Sequence, residues 1–298
     1  MQNQFAQGTI KYIWSHPNCK NQKIQSLIKF LAWQLYKRTF QRYIDIQLLP
    51  KIKIRCYPDS RSASAVLYCG LYDYDEMNFL LRYLRDKDSF LDIGANVGVY
   101  TLLAASKIKS GVIYSFEVLS KNYERLEENL NLNQFHQVKP YKLAISDFSG
   151  TTALNLAEGD SMPFITQTAT HNTVTVSTDT LDNLLQNQSL TNLTLAKMDI
   201  EGAEILALKG TTSLLKQQQP YVWILEINDA VNNFGYQKQD VINFLQDYGY
   251  RLYNYDADSN KLDAMTLDQQ KGNNVLAIAN SALDFVRNRL TEAVLTNE

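Results

Sequence analysis

The spacing of hydrophobic and polar positions along this chain predicts an α/β protein. Short apolar runs typical of buried strands alternate with segments whose apolar residues lie three and four positions apart, as in amphipathic helices. The runs predict seven strands, at 89–93, 112–117, 138–145, 193–198, 221–227, 250–255 and 274–279. Because helical segments separate most of them, we expect a parallel sheet flanked by helices, with an antiparallel last strand.

The pattern before this sheet predicts an N-terminal helical extension over residues 1–50, followed by a second domain over 51–298. Residues 1–20 are polar, and we expect them to be loosely held. Residues 24–49 carry two apolar stripes at helical spacing, so they predict a long helix or a helix pair that packs on the rest of the chain or on a second copy in a homodimer. A helix lying on an anionic membrane surface is the alternative. It rests on the nearby basic residues Lys29, Lys37, Arg38 and Arg42.

Two segments rich in β-branched residues, 151–156 and 173–177, predict the arms of a β-hairpin. The segment between them is long for a loop, which favours a binding or lid role. It contains His171, whose imidazole can act as a general base near neutral pH. A solvated loop histidine without a catalytic role is the reading we prefer at this point.

The stretch from Phe90 to Tyr100 predicts a buried strand, a glycine-containing turn and the start of a helix. Its polar and glycine positions are Asp92, Gly94, Asn96 and Gly98. The three-glycine spacing of dinucleotide sites is absent, and a carboxylate at Asp92 would repel a pyrophosphate. That carboxylate suits the ammonium and sulfonium groups of S-adenosylmethionine. Glu117 ends the next strand, where a carboxylate can accept hydrogen bonds from both ribose hydroxyls.

Further polar residues follow later strands, at what we expect to be the same edge of the sheet. Asp199 and Glu201 follow strand four, and either carboxylate can position or deprotonate an acceptor hydroxyl. Together with Glu226 they are weak candidates for a divalent-cation site, which we rank below a metal-free site. Ser146 and Asp147 follow strand three, and a simple turn is the alternative there.

Three segments, in chain order, resemble the FkbM-type S-adenosylmethionine-dependent methyltransferases: Phe90–Thr101, Ala144–Gly150 and Lys197–Glu204. The resemblance extends from about residue 51 to about residue 280, and Val118 departs from it where the family usually has proline. It implies a class I methyltransferase fold, a Rossmann-like seven-stranded sheet, and methylation of a hydroxyl on a saccharide or small natural product. It implies that Asp147 meets the adenine amino group. The implied cofactor-binding residues are Asp92, Gly94, Asn96, Gly98, Glu117, Ser146, Asp147 and Asp199.

Composition narrows the remaining choices. A formal net charge of −2 favours no broad nucleic-acid surface. The three cysteines lack metal-ligand spacing, and without a signal-peptide pattern we expect reduced thiols in a cytoplasmic protein. Methylation of nitrogen or of a carboxylate stays open. A nicotinamide-dependent oxidoreductase is disfavoured by the missing glycine, and a non-catalytic adaptor is disfavoured by the intact motifs.

Overall fold

The computed structural model of this protein describes residues 2–156, 164–166, 173–186, 188 and 192–295. The described strands are β1 (Ile44–Leu49), β2 (Ile52–Cys56), β3 (Ser89–Ile93), β4 (Ile113–Phe116), β5 (Val138–Tyr141), β6 (Ala144–Ile145), β7 (Gly150–Asn155), β8 (Phe164–Thr166), β9 (Thr173–Asp179), β10 (Leu193–Met198), β11 (Val222–Glu226), β12 (Tyr250–Asp256), β13 (Lys261–Ala264) and β14 (Asn274–Ala279). The described α-helices are α1 (Gln2–Ser15), α2 (Lys23–Thr39), α3 (Arg61–Cys69), α4 (Tyr74–Tyr83), α5 (Val99–Lys107), α6 (Ser120–Asn133), α7 (Leu181–Leu185), α8 (Glu204–Lys209), α9 (Thr212–Lys216), α10 (Lys238–Asp247) and α11 (Leu283–Leu295).

Within the described residues the central sheet has eight strands, in the order β13-β12-β14-β11-β10-β3-β4-β5. The strands from β11 to β5 run parallel, and β14 is antiparallel to both of its neighbours. This confirms the α/β class with an antiparallel last strand. The predicted number of seven strands is wrong by one, because the edge strand β13 has only four residues, in which Lys261 and Asp263 alternate with Leu262 and Ala264 and leave no apolar run.

Alternation along the strands separates two hydrophobic layers. Phe90, Leu195 and Ile224 face a layer that includes α4, α5 and α11. Successive residues of a strand point to opposite faces. The residues next to Phe90, Leu195 and Ile224 in the sequence therefore face a second layer, which includes α8 and α10. Both faces of the parallel strands are therefore covered, which explains why β3 and β10 are buried throughout.

Two predictions for the N-terminal region are wrong. Residues 2–15 form α1 rather than a loosely held segment, and the helix predicted over 24–49 ends at Thr39. The chain then forms β1, which pairs antiparallel with β2 so that Ile46 lies opposite Ile54. The alternating apolar positions of β1 fit a strand better than a helix. The domain boundary suggested at residue 50 falls in the turn of this hairpin and stays a prediction.

The third predicted strand also differs from the structure. β5 ends at Tyr141, and β6 belongs to a second sheet with the order β6-β9-β7-β8. The predicted hairpin arms are confirmed, since β7 and β9 pair antiparallel with Thr152 opposite Val176. The short strand β8 lies within the connection between them. His171 lies outside the described residues, and its role as a base stays a prediction.

Candidate active site

A cleft of about 1030 Å³ lies at the carboxyl ends of the parallel strands, where an α/β sheet usually binds its ligand. The turn after β3 forms its floor. Gly94 has φ of +83°, and a Cβ atom there would lie 1.9 Å from the carbonyl oxygen of Asp199. A glycine is therefore required, because this turn touches the residue that follows β10.

Asp92 lies at the end of β3 and is almost completely buried. One carboxylate oxygen, Oδ2, accepts a hydrogen bond of 2.5 Å from the hydroxyl of Thr101, whose Oγ1 lies 2.8 Å from that of Ser115. Burial raises the pKa of Asp92 to about 6, against the opposing effect of Thr101. A carboxylate has about four lone-pair sites, so beyond its bonds to Thr101 it can accept a hydrogen bond from an ammonium group in the cleft.

Glu117 follows β4 and is held by the backbone. The N–H groups of Asn96 and Leu119 donate to its two carboxylate oxygens at 2.8 and 2.7 Å. Burial raises the pKa of Glu117 to about 7, although these backbone donors act in the opposite direction. A carboxylate offers about four lone-pair sites, which is more than these backbone donors occupy. The fixed carboxylate can thus accept hydrogen bonds from two neighbouring hydroxyls.

The polar residues after β6 follow directly on residues that line the cleft. Leu143 to Ile145 line it, whereas Ser146 and Asp147 are not among its described lining residues. Ser146 is buried, and its N–H donates to the carbonyl of Asp179 at 3.0 Å. Asp147 is exposed. The role of Ser146 and Asp147 in cofactor binding stays a prediction.

Three carboxylates meet at the other end of the cleft. Asp199, Glu201 and Glu226 each offer an oxygen within 4.8 Å of the others. Two of the acids come from the turn after β10 and one from the end of β11, and these two strands are neighbours in the sheet. We call these three residues the acidic cluster. It can bind a hydroxyl group, accept a proton or hold a divalent cation.

Lys197 is the cation that pairs with this cluster. Its ammonium donates to Oδ2 of Asp199 at 2.8 Å and lies 4.8 Å from the ring centroid of Tyr100. In the sheet it lies beside Asp92. Of the described residues that line the cleft, Lys197 is the only cationic one.

The members of the acidic cluster differ in proton affinity. Burial acts to raise the pKa of Asp199, but the charge of Lys197 and hydrogen bonds from Glu226 and Lys197 together outweigh it and hold this pKa below its usual value. Burial and the charge of Asp199 raise the pKa of Glu201 to about 7 and that of Glu226 to about 8. An ionised carboxylate therefore lies beside two carboxyl groups that exchange protons near neutral pH.

The turn that carries Glu201 is unusual in its backbone. Glu201 has φ of +55°, a left-handed conformation that non-glycine residues seldom adopt. The buried carboxylate of Glu204 stabilises this turn by accepting hydrogen bonds from the N–H groups of Ile200 and Gly202. Glu204 therefore supports the turn, and such strain is often found at functional positions.

The sequence missed a further group on the helical side of the cleft. The hydroxyl of Tyr100 donates to Asp73 at 2.9 Å, and Tyr72 lines the cleft beside it. Nε2 of His16 donates to the carbonyl of Tyr72 at 2.8 Å, which ties the N-terminal region to the cleft. The sequence did contain one signal for a polar group on this side. Lys197 is a charged residue in a buried, largely apolar strand, and alternation places it on the same face as Leu195, toward the layer that includes α4 and α5.

Comparisons with known proteins agree with the motifs. Residues 92–252 match the family of the Methyltransferase FkbM domain. Hexuronic acid methyltransferase AglP from Haloferax volcanii is 26% identical over 164 residues. That alignment covers 54% of this chain and 64% of AglP, so the chain spans less than two thirds of this relative.

Solved structures with similarity to this chain include an rRNA methylase and a fibrillarin. One is an rRNA methylase from Streptococcus thermophilus, with a TM-score of 0.40, 14% identity, and coverage of 68% of this chain and 91% of the methylase. Another is fibrillarin from Aeropyrum pernix with natively bound S-adenosyl-L-methionine, with a TM-score of 0.36 and 11% identity. Its alignment covers 67% of this chain and 71% of fibrillarin.

Proposed function

The chain belongs to the FkbM family of S-adenosylmethionine-dependent methyltransferases, and on this premise we propose that it is an O-methyltransferase. Its acceptor would be a hydroxyl group of a saccharide or a small natural product. The observation that carries this proposal is the acidic cluster, two of whose members, Asp199 and Glu201, line the same cleft as Asp92 and Glu117. The cleft thus combines groups suited to the cofactor with groups suited to a hydroxyl acceptor.

The residues present fit the polar parts of S-adenosylmethionine. Asp92 lines the cleft at the end of β3, so its carboxylate can bind the α-ammonium of the methionine part. Glu117 can accept both ribose hydroxyls. Apolar side chains of Phe116 and Ile145 line the cleft and offer a surface for adenine.

The acidic cluster supports the acceptor half of the reaction. Bound S-adenosylmethionine supplies a methyl group on a positively charged sulfur, and a hydroxyl acceptor becomes a good nucleophile when it loses its proton. Glu201 is our candidate for the base, because a pKa of about 7 suits proton transfer near neutral pH. Asp199, ionised beside Lys197, would orient the hydroxyl by accepting its hydrogen bond.

The charge of the cluster favours a hydroxyl over a carboxylate as the methylated group. An anionic acceptor group would lie beside Asp199 and its two acidic neighbours, and like charges at such distances repel. Lys197 is already paired with Asp199. AglP is named for a hexuronic acid, and this supports a saccharide acceptor for the present chain.

Calorimetry with S-adenosylmethionine, S-adenosylhomocysteine and NAD tests the cofactor half of the proposal. We expect the first two to bind, and we expect Asp92→Ala to weaken that binding while Asp263→Ala, at an exposed aspartate on the edge strand β13, leaves it unchanged. Binding of NAD alone would overturn the methyltransferase assignment. Binding of none of the three would favour a non-catalytic adaptor.

Turnover tests the acceptor half. The protein is incubated with S-adenosylmethionine and a panel of neutral, amino and uronic saccharides, and methylated products are located by mass spectrometry with fragmentation. We expect methyl ethers on hydroxyl groups. Methyl esters on uronic acids, or methylated amines, would contradict the hydroxyl assignment and leave the cofactor assignment intact.

A further inference from the structure

Helix α2 has two apolar faces, and the protein covers only one of them. Phe30 and Trp33 are buried in the hydrophobic layer beneath the helix. On the opposite side, spacings of four, three and four residues place four aliphatic side chains in one line. They are 59–72% exposed: Ile24, Ile28, Leu31 and Leu35.

Aromatic side chains extend this line at both ends. Trp14 of α1 is 52% exposed, and the ammonium of Lys23 lies 5.0 Å from its ring centroid, next to the start of the line. Phe40, 59% exposed, follows the end of α2 and contacts Tyr36. We call the combined area the α2 surface; it consists of Trp14, Ile24, Ile28, Leu31, Leu35 and Phe40.

The charge of the surrounding segment is strongly one-sided. Residues 1–44 contain seven lysines and arginines and no aspartate or glutamate. The remaining 254 residues carry 22 lysines and arginines against 31 aspartates and glutamates, which gives them a formal charge of −9. The positive charge of this protein is thus concentrated in the segment that exposes the apolar line.

We propose that the α2 surface binds the surface of an anionic lipid bilayer. An exposed apolar line flanked by basic side chains is the pattern of helices that lie in the plane of a membrane interface. Lys23 and Arg38 lie at the two ends of α2, where their long side chains can reach lipid phosphates while the aliphatic residues enter the acyl boundary. Within the described residues, no helix combines the length and apolarity that a membrane crossing requires.

The same charges disfavour a second copy of the chain as the occupant. A two-fold contact would bring the same surface of both copies together. Each copy would then present a segment with seven positive and no negative side chains to its equivalent. A bilayer containing phosphatidylglycerol offers the opposite charge, and juxtamembrane basic residues are attracted to such lipids.

Vesicle sedimentation of the full chain tests this proposal. Vesicles of phosphatidylcholine alone are compared with vesicles that also contain phosphatidylglycerol. The main variant is Leu31→Gln combined with Leu35→Gln, which removes apolar groups without adding charge. The matched control is Val174→Gln, at an exposed apolar residue of β9 outside the α2 surface.

We expect the unchanged protein to bind the anionic vesicles and to bind the neutral ones more weakly. The affinity of the leucine variant for anionic vesicles should be lower by at least about tenfold, because burying one leucine side chain contributes more than a factor of ten to a binding constant. The valine control should bind like the unchanged protein. Equal sedimentation of the leucine variant and the unchanged protein would overturn the proposal. So would light scattering that shows a dimer for the unchanged protein and a monomer for the leucine variant, without vesicle binding by either. S-adenosylmethionine affinity, measured in parallel, tests the proposed function separately.

Discussion

Replacing Lys197 with methionine removes the cation of the cleft and leaves the carboxylate of Asp199 without its partner. The lysine side chain is 4% exposed and that of Asp199 is 37% exposed, through the cleft. Breaking a buried ion pair by removing one member costs about 3–5 kcal/mol. Because water in the cleft reaches Asp199, we expect the lower end, a loss of about 3 kcal/mol, which corresponds to about 6–12 °C in Tm at roughly 2–4 °C per kcal/mol.

The size of this loss should depend on pH. In the unchanged protein Lys197 holds the pKa of Asp199 below its usual value, so the pair stabilises the fold above the usual aspartate pKa of about 4. Lys197→Met removes the largest influence that lowers this pKa and leaves only the hydrogen bond from Glu226 against burial, so we expect the pKa of Asp199 to rise. The variant then loses stability as the pH rises through that raised value. The difference in Tm should therefore be largest at neutral pH and should narrow as the pH falls toward about 4.

Thermal unfolding followed by circular dichroism measures this prediction. The paired variant Lys197→Met/Asp199→Asn removes the unpaired charge, and we expect it to be more stable than Lys197→Met at neutral pH. If the paired variant loses as much stability relative to the unchanged protein as Lys197→Met and Asp199→Asn lose together, the two side chains do not stabilise each other. A pH-independent Tm difference would refute the assigned ionisation of Asp199.

Three further predictions concern the turn, the ribose site and the base. Gly94→Ala places a Cβ 1.9 Å from the carbonyl oxygen of Asp199, so it should lower Tm and abolish cofactor binding. The control Gly235→Ala has φ of +76° and open space around the new Cβ, so it should lower the free energy of unfolding only by about 1–2 kcal/mol, the cost of a left-handed backbone. Glu117→Gln should weaken S-adenosylmethionine binding in calorimetry by about 1.5–3 kcal/mol, the value of hydrogen bonds to a charged group, and unchanged affinity would contradict the ribose role. Glu201→Gln should lower kcat by about 10²–10⁴-fold with cofactor affinity retained. The kcat of the unchanged protein should rise as the pH passes about 7, where Glu201 loses its proton, and the variant should lack this rise.

The part of the site that lies between Phe90 and Tyr100 could be predicted because its structure depends on residues that are close together in the sequence. A buried strand, a glycine turn and a helix lie within one short segment, so the positions of Asp92 and Gly94 followed from the segment itself. Glu117 followed in the same way from the end of the next strand. The errors arose where local patterns were ambiguous, as in 24–49, where the apolar positions of a strand were read as part of a helix.

The sequence by itself determined which segments are buried strands and which polar residues stand at their ends. The tertiary structure decided which of those residues meet: Glu226 lies next to Asp199 because β11 pairs with β10. It also decided that one apolar face of α2 is packed and the other exposed. The physical reason is that periodicity encodes the direction of a side chain relative to its own element, whereas contacts between elements depend on pairings across long stretches of chain.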